Sequence, residues 1–396
     1  MPEMTGGLPG KRPNVLFILV DQLRADVCGT YGGVNIATPH IDRLAKEGMV
    51  FDNAITSCPV CSPYRGMLMT GRYPTQTGIL LNFVETSVAQ NPNCIANVFS
   101  NMGYDTGYIG KWHLAAGIRK RESVVKPNYA AIERYVAENP HYDFVPPGPG
   151  RLGFQYWAAY NFNWTFRNYW YYGDTPEKQY SGRYETDTQA DQAIAYMRAH
   201  EISNRPFFLV VSPHPPHAPM TREESPPGYL EAIPEKLHWS PNVPRDNPRS
   251  LLEMRCYLAM AKNIDDNVGR ILDYLDASSL AEDTIIVFTS DHGEMHGSHG
   301  RIQKMVPYTE ALNVPLIIRW PKRTPRGVRS RTVFTPLDYF STLTCLSGLP
   351  APVELAGRDL SDALQGHESA VHGDALEHFK LNCSRMKQTN CIHLAA

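Results

Sequence analysis

No apolar stretch in the N-terminal part of this chain is long enough to cross a bilayer. The earliest runs only from Val15 to Val20, where a membrane helix needs roughly 20 residues and even a secretory leader needs a longer apolar core. The residues before it, M-P-E-M-T-G-G-L-P-G-K-R-P, carry no leader pattern. The reading is therefore a cytoplasmic protein with no membrane partner. An excess of either charge is also missing: 38 Lys and Arg stand against 40 Asp and Glu, which removes any electrostatic case for a nucleic-acid partner. The short basic clusters at Arg119 to Arg121 and Pro321 to Arg331 read as solvated surface. Repeats and low-complexity tracts are absent. The eight cysteines (28, 58, 61, 94, 256, 345, 383 and 391) are scattered over 396 residues, and a chain of this size without a leader has no need of disulfides. Asn163-Trp164-Thr165 fits a glycosylation acceptor, a pattern without meaning unless the chain is secreted.

The one close cysteine pair, Cys58-Pro-Val-Cys61, has no second pair at zinc-binding spacing, which argues against zinc. A thioredoxin-like role leaves Arg65 and Thr70-Gly71 unexplained. Two buried structural thiols are the plain alternative. The surrounding stretch, S-C-P-V-C-S-P-Y-R-G-M-L-M-T-G-R from Ser57 to Arg72, is organised as a helix. Pro63 stands just inside its start and Gly71 just past its end, the usual asymmetry of helix termini. Cys61 then lies at a helix N-terminus, where unpaired N–H groups favour an anion or a thiolate. Arg65 follows one turn later on the same side.

Continuous apolar runs elsewhere end abruptly in polar clusters. Val15 to Val20 ends in Asp21-Gln22, Tyr108-Ile109 in Gly110-Lys111-Trp112-His113, Phe207 to Val211 in Ser212 to His217, and Thr284 to Phe288 in Thr289 to Gly293. Pro315 to Ile318 is a fifth expected strand. Continuous apolarity fits strands buried on both faces of a parallel sheet. Between them, Ile41 to Gly48, Asp187 to His200 and Leu251 to Leu275 follow helical spacing; the last repeats Leu252, Cys256, Met260, Ile264, Val268, Ile271 and Leu275. Alternating strands and helices predict an α/β fold, whose ligands bind beyond the carboxyl ends of the strands. Asp21, Lys111, His113, His217, Asp291 and His292 fall at that edge. Lys111 and His113 alternate, so an extended segment would present both on one face. Pro213 to Pro248, with ten prolines, reads as an ordered excursion over the surface. The aromatic segment from Phe154 to Tyr172 reads either as core or as the lining of a ring-binding pocket.

Asp21, Gln22, Asp291 and His292 together point to a divalent metal. Oxygen-rich donors suit Ca²⁺, Mg²⁺ or Mn²⁺, and the histidine leaves Mn²⁺ or Zn²⁺ open. Taken singly, Asp21 is a helix cap, His217 an exposed histidine and Lys304 a surface lysine. Lys304 follows a glycine-rich stretch, G-E-M-H-G-S-H-G, able to fold back over the sheet edge.

Five ordered segments carry a family resemblance. C-S-P-Y-R-G-M-L-M-T-G-R resembles the C-x-P-x-R signature of the formylglycine-dependent sulfatases, and G-Y-D-T-G-Y-I-G-K-W-H resembles that family's second signature. Val15 to Gln22, P-H-A-P at 216 to 219, and T-S-D-H-G followed by Lys304 take the remaining positions in the same order. The resemblance implies an alkaline-phosphatase/sulfatase-like three-layer α/β/α sandwich around a large, mostly parallel mixed sheet. It divides the chain into a tail (1–12), a catalytic domain (13–366) and an incomplete C-terminal subdomain (367–396).

The resemblance also implies a chemistry. A separate formylglycine-generating enzyme would oxidise Cys61 to Cα-formylglycine, whose hydrate attacks the sulfur of a small sulfated substrate. One divalent metal, calcium in most of the family, would be held by Asp21, Gln22, position 61, Asp291 and His292. Arg65 and Lys111 would hold the diol, Lys304 and His217 would bind sulfate and protonate the leaving alcohol, and His113 would serve as base in the release step. Many relatives surround the metal with Asp, Asp, Asp and Asn; one carboxylate fewer here resembles bacterial sulfatases and phosphonate monoester hydrolases. Hydrolysis of phosphonate monoesters or phosphodiesters on the same scaffold, or an inactive anion-binding homologue, are the alternatives.

Overall fold

The computed structural model describes residues 12–82, 93–115, 138, 142–203, 205–352 and 354–366. Nearly all of the expected tail, the basic cluster 119–121 and the expected C-terminal subdomain 367–396 lie outside the described residues.

Among the described residues, ten strands occur in chain order: β1 (Asn14–Val20), β2 (Met49–Ala54), β3 (Asp105–Lys111), β4 (Tyr156–Tyr160), β5 (Trp170–Tyr171), β6 (Gln179–Tyr180), β7 (Phe207–Ser212), β8 (Thr284–Ser290), β9 (Leu316–Arg319) and β10 (Val328–Phe334). Eight form one sheet in the order β10-β2-β9-β8-β1-β7-β3-β4, while β5 and β6 pair as a separate short ribbon. Within the large sheet, β9 runs antiparallel to both neighbours and every other pairing is parallel.

Helices cover both faces. Alternate residues of β1 separate them: Val15, Phe17 and Leu19 join one core, and Leu16, Ile18 and Val20 the other. The first core packs under α2 (Cys61–Thr70), the helix Ile95–Asn101 and the helix Asp338–Leu346. The second packs under α1 (Pro39–Glu47), the helix Glu185–Ser203 and the long helix Leu251–Ala277. This is the expected three-layer arrangement. Because both faces are covered, every residue of β1, β7 and β8 is buried, each large apolar side chain contributing about 1.5–3 kcal/mol.

The long helix begins with a capping box, Ser250 accepting from the Glu253 backbone while Glu253 returns to the Ser250 N–H, worth about 1 kcal/mol. Of its seven apolar positions, only Leu252 is left outside the core. Asp265 from the same helix accepts from the backbone of His40 and Ile41, so its carboxylate caps α1 in trans.

The parallel strands β1, β3, β7 and β8 send their carboxyl ends to one edge. Two extra ladder bonds, Asp21 N–H to Pro213 and Asp291 N–H to Val20, carry the alignment one residue past the strands. Gly110 sits where β3 and β7 converge, with φ +99° and a hypothetical Cβ only 2.3 Å from the Ser212 carbonyl oxygen, so no side chain fits there. Among the described residues, seven non-glycine residues adopt left-handed φ. Six of them (Gln22, His113, His296, His299, Gln303 and Met305) lie in loops following β1, β3 and β8. Backbone strain of this kind costs about 1–3 kcal/mol per residue and concentrates at functional sites.

None of the described helices is long and apolar enough to cross a membrane.

Candidate active site

Cys61 is the first residue of α2, completely buried, and the helix closes at Gly71, whose left-handed backbone (φ +62°) returns its N–H to Met67. The Cys61 sulfur lies 3.2 Å from His292 Nε2, 3.7 Å from Lys111 Nζ and 3.8 Å from Asp21 Oδ1. Its neighbour Cys58 instead packs with Val60, Met67 and Leu337, and no disulfide joins the two. Only Cys61 enters the polar cluster.

Arg65, one turn into α2, is fully buried and acts as the tie between strand ends. Its guanidinium donates to the Lys111 carbonyl (2.8 Å), Ser212 Oγ (2.8 Å) and Tyr108 (3.2 Å), and lies 3.3 Å from both Asp21 and Asp291. Lys111 Nζ is 2.5 Å from Asp21 Oδ2. Burial alone would raise the Asp21 carboxyl, but Lys111, His217, His292 and Arg65 outweigh it and hold it well below its ordinary range. For Cys61, burial and Asp21 push the thiol up, yet Lys111, Lys304 and His292 bring it below its ordinary value.

Asp21, Cys61, Asp291 and His292 present donor atoms all within 4.8 Å of one another. The set fits a single divalent cation. His292 Nδ1 is 3.0 Å from the Gly293 carbonyl; a proton on Nδ1 leaves the Nε2 lone pair facing the other donors, as ligating histidines are usually held. Gln22 borders the set and is oriented by two charged partners. Its Nε2 donates to Glu294 (2.8 Å) and its Oε1 accepts from Lys304 Nζ (2.6 Å), and the reverse amide orientation would satisfy neither.

Lys304 Nζ also lies 2.8 Å from His217 Nε2, and His217 Nδ1 is 2.8 Å from the Ala218 carbonyl. The proton on His217 therefore sits on Nδ1, leaving Nε2 as acceptor. Burial, then Lys304, keeps this imidazole well below its ordinary pKa and thus neutral. His113 is pushed the same way by burial, Lys111 and Arg65. The extended segment expected to carry Lys111 and His113 ends at Lys111, and His113 is left-handed (φ +56°). They meet anyway on one ring: Lys111 Nζ is 4.9 Å and the His113 ring 4.7 Å from the centre of Phe162.

All the site residues expected from sequence thus share one sheet edge. Sequence reasoning missed their supports. Glu294, fully buried, holds Gln22 and pairs with Arg249 at 3.0 Å; its only signal was its place inside G-E-M-H-G-S-H-G. Asn82 accepts from the Ser62 N–H and Ser62 Oγ donates to the His113 carbonyl, contacts between segments that no spacing rule links.

Beneath the site, Glu185 Oε1 accepts from Tyr160 (2.6 Å), the His214 N–H (2.9 Å) and Gln189 (2.9 Å), while Oε2 has no hydrogen-bond partner among the described residues. Burial pushes its carboxyl up to about 7 despite those donors. The folded protein then keeps a proton that the unfolded chain releases near its ordinary value of 4.5. This contribution is complete below that value and is lost as pH rises through about 7. Glu185→Gln should leave stability at pH 5 nearly unchanged and raise it at pH 8 by on the order of 3 kcal/mol. Asp143, also raised by burial to about 7, keeps a residual slope in both proteins. Urea midpoints from pH 5 to 8 check this; parallel curves for wild type and variant would contradict it.

The profile of the Sulfatase family matches residues 13–349. The chain is 35% identical over 371 residues to an ulvan-active sulfatase of Formosa agariphila, an alignment covering 92% of this chain and 67% of that one. It is 30% identical to an endo-4-O-sulfatase of Bacteroides thetaiotaomicron, over 89% of this chain and 73% of the other. The solved structure of YidJ of Bacteroides fragilis superposes with a TM-score of 0.79 at 32% identity, covering 92% of this chain and 80% of that one.

Proposed function

The chain belongs to the sulfatase family, and from that premise we propose that it hydrolyses a sulfate monoester at this sheet edge, with Cys61 as the precursor of its nucleophile. The observation that carries the reading is the convergence of Asp21, Asp291, His292 and Lys111 around the side chain of residue 61, with Arg65 tying the two carboxylates together. A thiol nucleophile would need none of the carboxylates. Matured to formylglycine by a separate generating enzyme, position 61 supplies a hydrated aldehyde able to attack sulfur. One divalent cation, calcium in the first instance, would be held by Asp21, Asp291, His292 and position 61, with Gln22 beside it, and would polarise the sulfate.

The chain's own residues supply the rest. Lys111, Arg65 and Lys304 surround the sulfate with positive charge that is already fixed in place before reaction, so little reorganisation opposes charge build-up. Lys304 touches His217 Nε2, so a proton can pass from the ammonium side to the oxygen of the departing alcohol. His113, kept neutral by burial and two cations, is suited to accept a proton from residue 61.

The test is production with a competent maturation enzyme, followed by mass spectrometry of the peptide containing Cys61 and rates on 4-nitrophenyl sulfate and bis(4-nitrophenyl) phosphate. An aldehyde at position 61 and faster cleavage of the sulfate are expected. An unmodified thiol, or faster cleavage of the phosphodiester, would overturn the assignment.

A further inference from the structure

The segment P-H-P-P-H from Pro213 to His217 brings His217 to Lys304, and it has few means of holding itself in place. Proline carries no N–H, so only His214 and His217 can donate from this stretch of backbone. The His217 N–H turns inward, to the His214 carbonyl at 3.0 Å. The His214 N–H leaves the segment and donates to Glu185 Oε1 at 2.9 Å. On the accepting side, the Pro213 carbonyl takes the Asp21 N–H at 3.1 Å. Of these three ties, the one to Glu185 is made by a side chain.

Glu185 is itself firmly held. It is the first residue of the helix Glu185–Ser203, fully buried, and its own N–H donates to the Phe166 carbonyl at 3.0 Å. The next two residues lock that turn to the long helix. The Thr186 hydroxyl donates to Asn263, and Asp187 accepts from Asn263 (3.0 Å) and Asn267 (2.7 Å). Tyr160, at the end of β4, and Gln189, one helical turn on, donate to the same Oε1, which keeps it facing His214. The His214 ring is completely buried, with its centre 5.1 Å from that of Phe162, 5.3 Å from Phe166 and 4.8 Å from His217. A displacement of His214 therefore reaches His217 twice, through the backbone bond and through the rings.

We propose that Glu185 is a positioning residue for departure of the leaving group: by holding the His214 N–H, it sets where the His217 imidazole meets Lys304 and the departing oxygen. This rests on the sulfatase reading above and adds a residue that touches neither substrate nor metal donors. Its consequence is specific. A displaced His217 impairs the step in which the departing oxygen takes up a proton. A 4-nitrophenolate leaves as a stabilised anion with little need of that proton, whereas phenolate and 4-methoxyphenolate are more basic and depend on it.

The experiment uses matured full-length enzyme, wild type and the variants Glu185→Ala, Glu185→Asp and Glu185→Gln. kcat/KM is measured on 4-nitrophenyl, phenyl and 4-methoxyphenyl sulfate, with inorganic sulfate as a competitive inhibitor. Glu185→Ala should lose on the order of 10²-fold on the phenyl and 4-methoxyphenyl esters, as misplacement of a reacting group by about 1 Å does. On 4-nitrophenyl sulfate the loss should stay within about threefold, and sulfate inhibition should not change. Glu185→Asp withdraws the acceptor by one methylene yet keeps a buried acid; it should show the same order of losses, and it carries the test if the alanine variant does not fold. Glu185→Gln keeps the Oε1 acceptor and should match wild type on all three esters. Equal losses on the three esters would mark a merely structural role and overturn the proposal, as would no loss on any of them or a glutamine variant as impaired as alanine. The sulfatase reading survives each of those results. A matured wild type inactive on all three esters would overturn that reading and the positioning role with it.

Discussion

Cys61→Ser should end multiple turnover, lowering the steady rate on 4-nitrophenyl sulfate by at least about 10⁴-fold. Produced without the maturation enzyme and so left unoxidised, serine keeps one nucleophilic oxygen but no geminal second one, so attack on sulfur leaves an ester with no second hydroxyl for His113 to deprotonate. The predicted species is a stable sulfate ester on residue 61, seen as at most one equivalent of nitrophenol per enzyme and an intact-mass increase of one SO₃. Folding should survive, because a hydroxyl at this position meets His292 Nε2, 3.2 Å from the present sulfur, and Lys111. Steady turnover by the variant within tenfold of wild type would remove Cys61 from the nucleophile's role.

The contrast with Cys58 shows where sequence reading reached and where it stopped. Residues whose role follows from local pattern were legible. The helix around Cys61 was bounded by Pro63 and Gly71, and the apolar runs that became β1, β7 and β8 were continuous because both faces are covered. The strand-end polar residues then had to share an edge, since parallel strands point one way. The less regular strands were harder. In β10 the burial pattern is interrupted by exposed Val328, Arg329 and Arg331, so its apolar signal is diluted. β4 lies inside an aromatic segment that period-two reading could not separate from core packing. The antiparallel direction of β9 is likewise invisible in Leu316–Arg319, because a four-residue buried strand reads the same in either direction. Contacts made by single side chains across hundreds of residues, such as Glu294 with Gln22, leave no local signature at all.

Six of the seven left-handed residues sit in the loops that carry the site, and this explains why that edge keeps its shape without regular structure. Gln22 is held at φ +65° by its N–H to Asp291 (3.1 Å) and by Tyr257, whose hydroxyl donates to the Gln22 carbonyl (2.9 Å). The same contacts align Asp291 and turn the carboxamide toward Lys304. Strain in the backbone and order among the reacting groups therefore have one origin: buried hydrogen bonds that tie the end of β1 to the end of β8 and to the long helix.

Stripping divalent ions with a chelator should silence the matured enzyme and leave it folded. Loss of the cation removes the polarisation of the sulfate, expected to reduce kcat by at least about 10²-fold. It does not strand the carboxylates, because Arg65 lies 3.3 Å from both Asp21 and Asp291 and Lys111 lies 2.5 Å from Asp21. Two buried cations already face two buried anions, so unfolding should shift only by the linkage of ion binding itself. Arg65→Met should behave oppositely. It leaves Asp291 without its guanidinium partner in a fully buried site, and an uncompensated buried charge costs about 3–5 kcal/mol. Its denaturation midpoint should fall sharply in chelator and recover in part when the ion returns. Adding Ca²⁺, Mn²⁺, Mg²⁺ and Zn²⁺ singly to the stripped wild type identifies the ion by the activity restored. Full activity in enzyme shown by elemental analysis to be metal-free would refute the metal assignment. Equal stability of Arg65→Met and wild type in chelator would refute the charge balance, since nothing else within 3.3 Å of Asp291 Oδ2 carries a fixed positive charge among the described residues.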